Sequence, residues 1–265
     1  MIASCGGGRR NESITRRVRL VAAAIAMMTA AHAGVPRRPD FRIEPRVAGA
    51  APVAQRFTAT QIELLEKLNR ADAAHLDRLI ALVVPEPWWL DERAYTTLPA
   101  WYEPAAVYPK LLVVHVPGQM FGAYESGRLI RWGPVSTGRR ASPTPAGWYF
   151  LNWRATFHVS TVDPDWEMWW YFNFENYQGL AFHQYTLPGY PASHGCIRLL
   201  GRDAKWLFAW GEPWTLDRTG RIVMRHGTPV LVTSAYDFES PPPWRSPAWL
   251  STPVVLPQVL PPEPQ

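Results

Sequence analysis

Short apolar segments that alternate with polar residues and end at turn residues dominate the chain from residue 110 onward. Such period-two patterns are typical of half-buried strands, so they restrict this part of the chain to a mainly β fold. Turns are expected at Pro117-Gly118 and at Gly127. Helical spacing of apolar residues predicts one short helix, at residues 202–210. Five segments are predicted to be strands: 111–116, 119–124, 129–135, 148–153 and 230–233.

Three further segments are expected to lie outside this β domain. Residues 34–57 are rich in Pro, Ala and Arg without an apolar period, which predicts a linker. Apolar residues then recur at helical spacing, and we expect one or two amphipathic helices, ended by Val83-Val84-Pro85, in an N-terminal helical element that spans residues 58–100. From residue 239 to residue 265 Pro is so frequent that we expect an extended, partly disordered tail.

The first 33 residues are predicted to be a signal peptide. Arg16, Arg17 and Arg19 precede an apolar run, and Ala31-His32-Ala33 provides a small-x-small cleavage site. The run is about a dozen residues long, whereas a membrane-spanning helix needs roughly 20, so a cleaved leader is favoured over a permanent anchor. We therefore expect an exported protein of the periplasm or cell envelope, without a stable membrane span after cleavage.

The charge of the chain gives no indication of a nucleic-acid partner. The full sequence has 27 Lys and Arg against 22 Asp and Glu, but residues 1–33 hold five of the Arg and only one Glu. The remaining chain is close to neutral, at about +1, which is no electrostatic footprint for a polyanion. We expect no nucleic acid among its partners.

One cysteine, Cys196, remains once the leader is removed. In a compartment where paired thiols oxidise, a single cysteine cannot form an internal disulfide. On its own it is explained equally well as a small buried apolar residue or as a reactive thiol. Its neighbours decide between the two.

The segment around Cys196 contains the residues of a thiol nucleophile. It runs from Ala181 to Leu200 as A-F-H-Q-Y-T-L-P-G-Y-P-A-S-H-G-C-I-R-L-L. A thiol attacks as thiolate, and an imidazole beside it can take the proton. His194 precedes Cys196 by two residues, and Gly195 between them permits a sharp bend whose backbone N–H groups can face a developing oxyanion.

This segment closely resembles the L,D-transpeptidase family, whose catalytic domain is of the YkuD type. The resemblance rests on a histidine, His183, a spacer, and then Ser193-His194-Gly195-Cys196-Ile197-Arg198. Upstream, V-S-T-G at 135–138 and P-T-P-A-G at 143–147 resemble a second block of the family, and G-T-P-V at 227–230 resembles the entry to its last strand. The resemblance covers about residues 110–234. It implies a β-sandwich or barrel catalytic domain, residues 101–238, with a short helix after the motif.

The resemblance implies four catalytic residues. Cys196 is the acylated nucleophile and His194 the general base. Ser193 fixes the tautomer of His194, and Gly195 is the hinge of the bend. No cofactor and no metal ion is expected.

Three more residues are placed with substrate binding. His183 is expected in the pocket near the thiol, Arg198 is expected to contact a substrate carboxylate or to support the site, and Tyr185 is assigned to substrate binding. Two departures from the family pattern affect this part. The spacer between His183 and Ser193 has nine residues, which is shorter than in many members, and Gln184 stands where a glycine is common, which leaves the role of His183 open.

The reaction implied by the resemblance is acyl transfer on peptidoglycan. A stem tetrapeptide is cut between its third residue, meso-diaminopimelate, and the terminal D-alanine, and an amine acceptor then resolves the thioester. The motif leaves the acceptor open: a diaminopimelate amine, the lysine of a lipoprotein, a free D-amino acid, or water in an L,D-carboxypeptidase.

The same residues are compatible, less well, with three different kinds of protein. A zinc site formed by His183, His194, Cys196 and His226 has suitable ligand types but not the usual ligand spacing. A non-catalytic wall-binding protein would be expected to have lost the Cys or the His. In a cysteine peptidase the nucleophile precedes its base, which would require His226 as the base.

Two more features have structural interpretations. His115 falls in an apolar strand and is interpreted as a structural histidine. The aromatic stretch 166–174 is expected to pack in the core or a loop; if it is exposed beside the cleft, it could hold a glycan or a stem peptide.

Overall fold

The structure is a computed structural model that describes residues 39–88, 91–160 and 163–261. The predicted signal peptide lies outside these residues. The strands are β1 (Asp40–Pro45), β2 (Ala81–Glu86), β3 (Leu111–His115), β4 (Met120–Glu125), β5 (Arg128–Ser136), β6 (Gly147–Phe150), β7 (Arg154–Val159), β8 (Glu167–Glu175), β9 (Leu180–Gln184), β10 (Ile197–Leu199), β11 (Thr215–Leu216), β12 (Val223–Arg225) and β13 (Pro229–Thr233). The helices are α1 (Val53–Arg56), α2 (Ala59–Asn69), α3 (Ala73–Leu76), α4 (Gly201–Trp210) and α5 (Pro247–Leu250). Short 3-10 helices lie at Glu92–Tyr95, Glu103–Ala105 and Pro243–Arg245.

A nine-stranded curled sheet is the centre of the fold, in the order β6-β13-β3-β4-β5-β10-β9-β8-β7. The mainly β fold class predicted from the alternating segments is confirmed. All five predicted strands are present, although the one expected at 148–153 ends at Phe150. The predicted helix after the motif is α4. The strands β7, β8, β9 and β10 were not predicted from the sequence.

The two faces of the sheet belong to different apolar clusters. The inner cluster combines β3, β4, β8, β9 and β13 with α4, and includes Phe121, Phe172 and Phe182, each at most 1% exposed. The outer cluster covers the opposite face and includes Tyr124 and Trp132. Burial of such aromatic side chains supplies much of the stabilisation of a sheet domain.

The N-terminal segment is only partly helical, which corrects the expectation of a helical element at 58–100. The residues expected to end a helix, 81–86, form β2, which pairs antiparallel with β1. β1 and α1 both lie in the segment interpreted as a linker. Ala81–Glu86 is a short run of β-branched and apolar residues, which periodicity alone does not distinguish from a buried helix end. The Thr58 capping box, in which Thr58 and Gln61 cap each other's backbone, begins α2.

The Pro-rich segment from residue 239 is packed, contrary to the expected extended tail. Trp244, Leu250 and Leu256 are 1%, 2% and 3% exposed and belong to the outer cluster. The Tyr102 hydroxyl donates to the carbonyl of Pro257 at 2.5 Å. Proline restricts the backbone without preventing burial, and here the apolar residues between the prolines reach the sheet. This holds for the tail up to residue 261.

Arg70 joins the N-terminal segment, the sheet and the tail. The residue is 2% exposed, and its Nε donates to the carbonyl of Gly118 at 2.7 Å. The guanidinium carbon lies 5.9 Å from the ring centroid of Trp132 and 5.7 Å from that of Trp244. Stacking on aromatic faces partly offsets the cost of burying this cation. None of the helices in the described ranges has the length and apolar character needed to cross a bilayer.

Candidate active site

β9 and β10 bring the two halves of the motif together. The strands are parallel neighbours, with Ile197 opposite Phe182 and Arg198 opposite His183. Side chains alternate between the faces of a sheet, so His183 and Arg198 face the same side as Cys196. One cavity of about 410 Å³ lies on this side. Six of the seven predicted site residues line it: His183, Tyr185, Ser193, His194, Cys196 and Arg198.

The bend before β10 is held by Ser193. Gly195 has a φ of +114°, a conformation that other residues rarely adopt. The N–H of Gly195 donates to Oγ of Ser193 at 3.1 Å, and this hydroxyl donates to the carbonyl of Cys196 at 2.5 Å. The carbonyl of Ser193 accepts the N–H of Arg139 at 2.9 Å. Both oxygens of Ser193 therefore bond to backbone groups, and none of the hydrogen bonds within the described ranges joins Ser193 to the ring of His194.

Thr144 supports the same bend from the second sequence block. Its hydroxyl donates to the carbonyl of Gly195 at 2.7 Å and accepts the N–H of Gly138 at 2.9 Å. Gly138 packs so closely on this loop that a Cβ there would lie 2.1 Å from the carbonyl oxygen of Ser142. Thr144 is 4% exposed. The block at 143–147 was noticed in the sequence, but its contact with the bend was not predicted.

The Cys196 thiol is partly buried and protonated at rest. Its Sγ lies 3.7 Å from the carbonyl oxygen of Gly179. Burial raises the pKa of the thiol, and the N–H of Ala181 and the charge of Arg198 only partly oppose this. A nucleophilic role therefore requires a base that removes the proton.

His183 has the tautomer that such a base needs. Its Nδ1 lies 3.0 Å from the carbonyl oxygen of Gln184. A carbonyl only accepts hydrogen bonds, so the proton is on Nδ1 and Nε2 is free to accept. Burial, with a smaller effect of the Arg198 charge, lowers the pKa of His183 to about 4. The imidazole is therefore neutral at physiological pH.

His194 lines the cavity but has no such partner. Its ring packs on Trp166, with the centroids 4.5 Å apart. Nδ1 is buried and has no hydrogen-bond partner in the part of the chain that the structure describes. Burial, followed by the charges of Arg139 and Arg198, lowers the pKa of His194. No contact within the described ranges selects one tautomer of this imidazole.

Arg198 is a cation for which the described residues supply no carboxylate partner. Its guanidinium carbon lies 4.5 Å from the ring centroid of Tyr185. None of the ion pairs found within residues 39–88, 91–160 and 163–261 involves it. Burial lowers the pKa of Arg198, but an arginine remains charged at physiological pH. The cavity therefore offers a positive charge next to the thiol.

A family of known catalytic domains matches the part of the chain that contains this site. Residues 109–232 match the family model of the L,D-transpeptidase catalytic domain, YkuD. This part of the chain, just under half of its length, is similar to the YkuD-type L,D-transpeptidase catalytic domain. No protein of curated function matches the chain.

Several solved structures are similar to about half of this chain. An L,D-transpeptidase from Stackebrandtia nassauensis is 25% identical with a TM-score of 0.40, and the match covers 49% of this chain and 58% of that one. An L,D-transpeptidase from Mycobacterium smegmatis is 19% identical with a TM-score of 0.38, covering 48% and 59%. L,D-transpeptidase 1 from Mycobacterium tuberculosis is 19% identical with a TM-score of 0.36, covering 48% and 62%. The chain thus spans about three fifths of the length of these proteins.

The N-terminal segment holds the spacer between His183 and Ser193. Oδ2 of Asp72 accepts the N–H of Leu187 at 2.8 Å, and the N–H of Asp72 donates to the carbonyl of Leu187 at 2.9 Å. Ala71 forms a bridge with Pro188. The short spacer between His183 and Ser193 is therefore tied to α2 and α3, a contact that was not predicted from the sequence.

Aromatic residues form the opposite wall of the cavity. Trp153 and His158 both pack on Tyr171, with centroids 5.0 Å and 4.4 Å from it. The stretch 166–174 is largely β8, so the prediction of core packing holds for Phe172 and Phe174, whereas Trp166 faces the cavity. His226, the candidate zinc ligand or alternative base, packs on Phe150 at 4.5 Å and lines a different groove. Among the described residues no cluster of His, Cys, Asp and Glu is arranged to hold a metal ion.

Proposed function

We propose that the protein is a cysteine acyltransferase that takes a peptidoglycan stem tetrapeptide as donor, releases D-alanine and passes the acyl group to an amine. The observation that carries this proposal is the shared cavity in which Cys196, the neutral imidazole of His183 and the cation of Arg198 lie together. The L,D-transpeptidase family match supports the substrate class.

The hydrogen bonding favours His183 as the general base, in place of His194. A base has to be neutral and has to present an unprotonated nitrogen to the thiol. The Gln184 carbonyl holds the proton of His183 on Nδ1, which leaves Nε2 unprotonated. His194, whose Nδ1 has no partner among the described residues, is then a wall of the pocket packed on Trp166.

The acylation step moves one proton and exchanges two bonds. The thiol proton of Cys196 passes to Nε2 of His183 while the sulfur bonds to the carbonyl carbon of the third stem residue. The C–N bond to D-alanine then breaks, and the leaving amine takes the proton from His183. An acceptor amine attacks the thioester, loses its proton to His183, and the thiolate leaves and is reprotonated.

The backbone at Gly195 supports stabilisation of the tetrahedral intermediate. The peptide between Gly195 and Cys196 is trans, so its N–H points away from its carbonyl, which Thr144 holds on the buried side. Donors aimed in advance at a developing oxyanion contribute several kcal/mol. Cys196 N–H is the donor that this arrangement favours.

Arg198 is proposed to bind the carboxylate of the terminal D-alanine. An unpaired guanidinium recognises a carboxylate through two parallel hydrogen bonds. With Tyr185 stacked on it, the guanidinium is held in place on the cavity floor. The leader predicted at residues 1–33 supports a location in the periplasm or cell envelope, where such a substrate is found.

The test is incubation of the mature protein with disaccharide-tetrapeptide, followed by product masses. We expect loss of D-alanine and formation of cross-linked dimer. Release of D-alanine with water alone would identify a carboxypeptidase, and transfer to a lipoprotein lysine would require that protein in the assay. Cys196→Ala should keep its circular dichroism and lose every product as well as the adduct with a carbapenem. An adduct on the alanine variant would contradict the proposed nucleophile.

A further inference from the structure

A second cavity lies beside the catalytic one, and we name it the side groove. It has a volume of about 580 Å³ and is formed by β6, the β8–β9 turn and the β11–β12 hairpin. Asn176 and Tyr177, in the β8–β9 turn, line both cavities. The side groove is therefore a continuation of the catalytic pocket across this turn.

The lining of the side groove combines aromatic faces with polar side chains. Tyr149 and Trp214 are half-buried along it, and Tyr177 is fully exposed on its rim. Arg221 is exposed and takes part in none of the ion pairs within the described ranges. His226 adds a further polar group. Flat aromatic surfaces next to hydrogen-bond donors and acceptors fit a molecule with an apolar ring face and hydroxyl groups.

The direction of β9 and β10 determines which end of the donor reaches the side groove. Along these parallel strands Gly179 comes first, beside the thiol, and Arg198 lies two residues beyond Cys196, about 7 Å further on. If Arg198 binds the terminal carboxylate, the tetrapeptide runs with its C-terminus toward Tyr185. Its N-terminus then points back to Asn176 and Tyr177, where the side groove begins.

The length of the stem peptide agrees with this direction. Three residues separate the reacting carbonyl from the glycan, which is about 10 Å of extended chain. The glycan therefore has to lie about 10 Å from the reacting carbonyl, at the edge of the catalytic pocket. At the N-terminal end of the donor peptide, this edge is formed by Asn176 and Tyr177, which the pocket shares with the side groove.

The charges argue against an acceptor amine in the side groove. Its one carboxylate, Glu175, already accepts the N–H groups of Tyr177 and Gln178 within the turn. A third cavity adjoins Tyr185 at the opposite end of the pocket, and its exposed carboxylate Glu167 takes part in none of the ion pairs within the described ranges. The other two carboxylates of that cavity are engaged, Glu66 with Arg202 and Asp72 with His75. A cationic acceptor is better matched to that end.

We infer that the side groove binds the glycan of the donor, with an N-acetylated amino sugar against Trp214 and Tyr149 and its polar groups at Asn176, Arg221 and His226. This inference rests on the proposed function. The enzyme then recognises the glycan of its donor as well as the peptide.

The test compares two donors, disaccharide-tetrapeptide and free tetrapeptide, on the mature protein. Trp214→Ala and Arg221→Ala should raise KM for the disaccharide form about three- to tenfold, leave kcat unchanged, and leave the free tetrapeptide unaffected. Trp101→Ala removes another exposed tryptophan, 53% exposed and away from both cavities, and serves as the matched control. Equal losses with both donors, or a wild-type enzyme that does not distinguish them, would overturn the inference. A change only in the ratio of dimer to hydrolysis product would assign the side groove to the acceptor and overturn it as well.

A binding measurement separates this inference from the proposed function. Titration with the free disaccharide should quench tryptophan fluorescence in the wild type and in Cys196→Ala, and not in Trp214→Ala. Quenching together with no release of D-alanine from either donor would retain the side groove and refute the acyltransferase. Absence of quenching in the wild type together with equal KM values for both donors would refute the side groove alone.

Discussion

The hydroxyl of Thr144 donates to the carbonyl of Gly195, immediately before the proposed nucleophile, at a distance of 2.7 Å. The same oxygen accepts the N–H of Gly138. A buried side chain thus positions the one peptide whose N–H is proposed to bind the oxyanion, although it touches neither substrate nor thiol. It is a positioning residue.

Thr144→Val should therefore lower kcat for acylation about tenfold or more while KM and the pH profile stay nearly unchanged. The substitution preserves volume but leaves the Gly195 carbonyl and the Gly138 N–H without partners, at about 1–3 kcal/mol for each buried group. Thr144→Ser, which keeps both hydrogen bonds, should restore most of the rate. Single-turnover kinetics with a chromogenic β-lactam would measure this, and a valine variant with normal kcat would refute the positioning role.

Substitutions of the two pocket histidines should have different effects on the pH profile of the acylation rate. Because the pKa of His183 is about 4, the wild-type acylation rate should persist as the pH falls from 7 to 5 and decline only near 4. In His183→Gln the thiol has to ionise without a base, and its pKa is raised. The pH profile of the acylation rate should therefore move to alkaline pH.

His194→Gln is the control for that measurement. It should change the rate but leave the position of the profile where it is. Alkylation of Cys196 by iodoacetamide between pH 4 and 10, followed by intact mass, would record both curves. An alkaline shift in His194→Gln with an unchanged curve in His183→Gln would restore His194 as the base.

Arg198→Gln should raise KM for the tetrapeptide about ten- to a hundredfold, because a charge-assisted hydrogen bond to a carboxylate is worth about 1.5–3 kcal/mol. A tetrapeptide whose terminal carboxylate is amidated provides the matched comparison. The wild type should lose a similar factor on this donor, whereas the variant should hardly distinguish the two. A variant that still prefers the free carboxylate would show that Arg198 does not bind it.

Acid should destabilise the fold through two buried histidines. Burial lowers the pKa of both His115 and His183 to about 4, with a further effect of a nearby arginine on each. The folded state therefore binds fewer protons than the unfolded chain between pH 6.5 and 4. The contribution of each imidazole to the free energy of unfolding is complete above about pH 6.5 and is lost toward pH 4, at up to about 1.4 kcal/mol per pH unit.

His115→Asn isolates one of these contributions. Nδ1 of His115 accepts the N–H of Gly118 at 3.0 Å, and an asparagine oxygen can replace this acceptor without titrating. Urea unfolding at pH 7 and at pH 4.5 should show a smaller acid loss in the variant than in the wild type. Equal losses would mean that His115 does not contribute to the acid sensitivity.

Features that depend on residues close together in the sequence were predicted from its local patterns. The strands at 111–135 follow from period-two alternation, since one face of each strand is buried. Cys196 and its neighbours were identified because the motif is contiguous. The helix α4 was predicted from its apolar spacing alone.

Features that depend on distant contacts were missed. The parallel pairing of β9 with β10 sets the position of His183 relative to Cys196, and no short-range pattern contains that register. The tautomer of His183 depends on the backbone carbonyl of Gln184, and the types of the side chains do not predict such a contact. The Pro-rich tail was predicted from composition, but three apolar side chains between the prolines were enough to dock it.

The position of Arg70 has a practical consequence for dissecting the molecule. The family match covers residues 109–232, yet this guanidinium comes from the end of α2 and its two indole neighbours come from β5 and from the tail. A recombinant fragment trimmed to the matched range would discard Arg70 and Trp244 together and leave the indole of Trp132 facing solvent. Expression boundaries should begin before Asp40 and run beyond Leu256, so that the catalytic sheet keeps the two flanking segments that cover its outer surface.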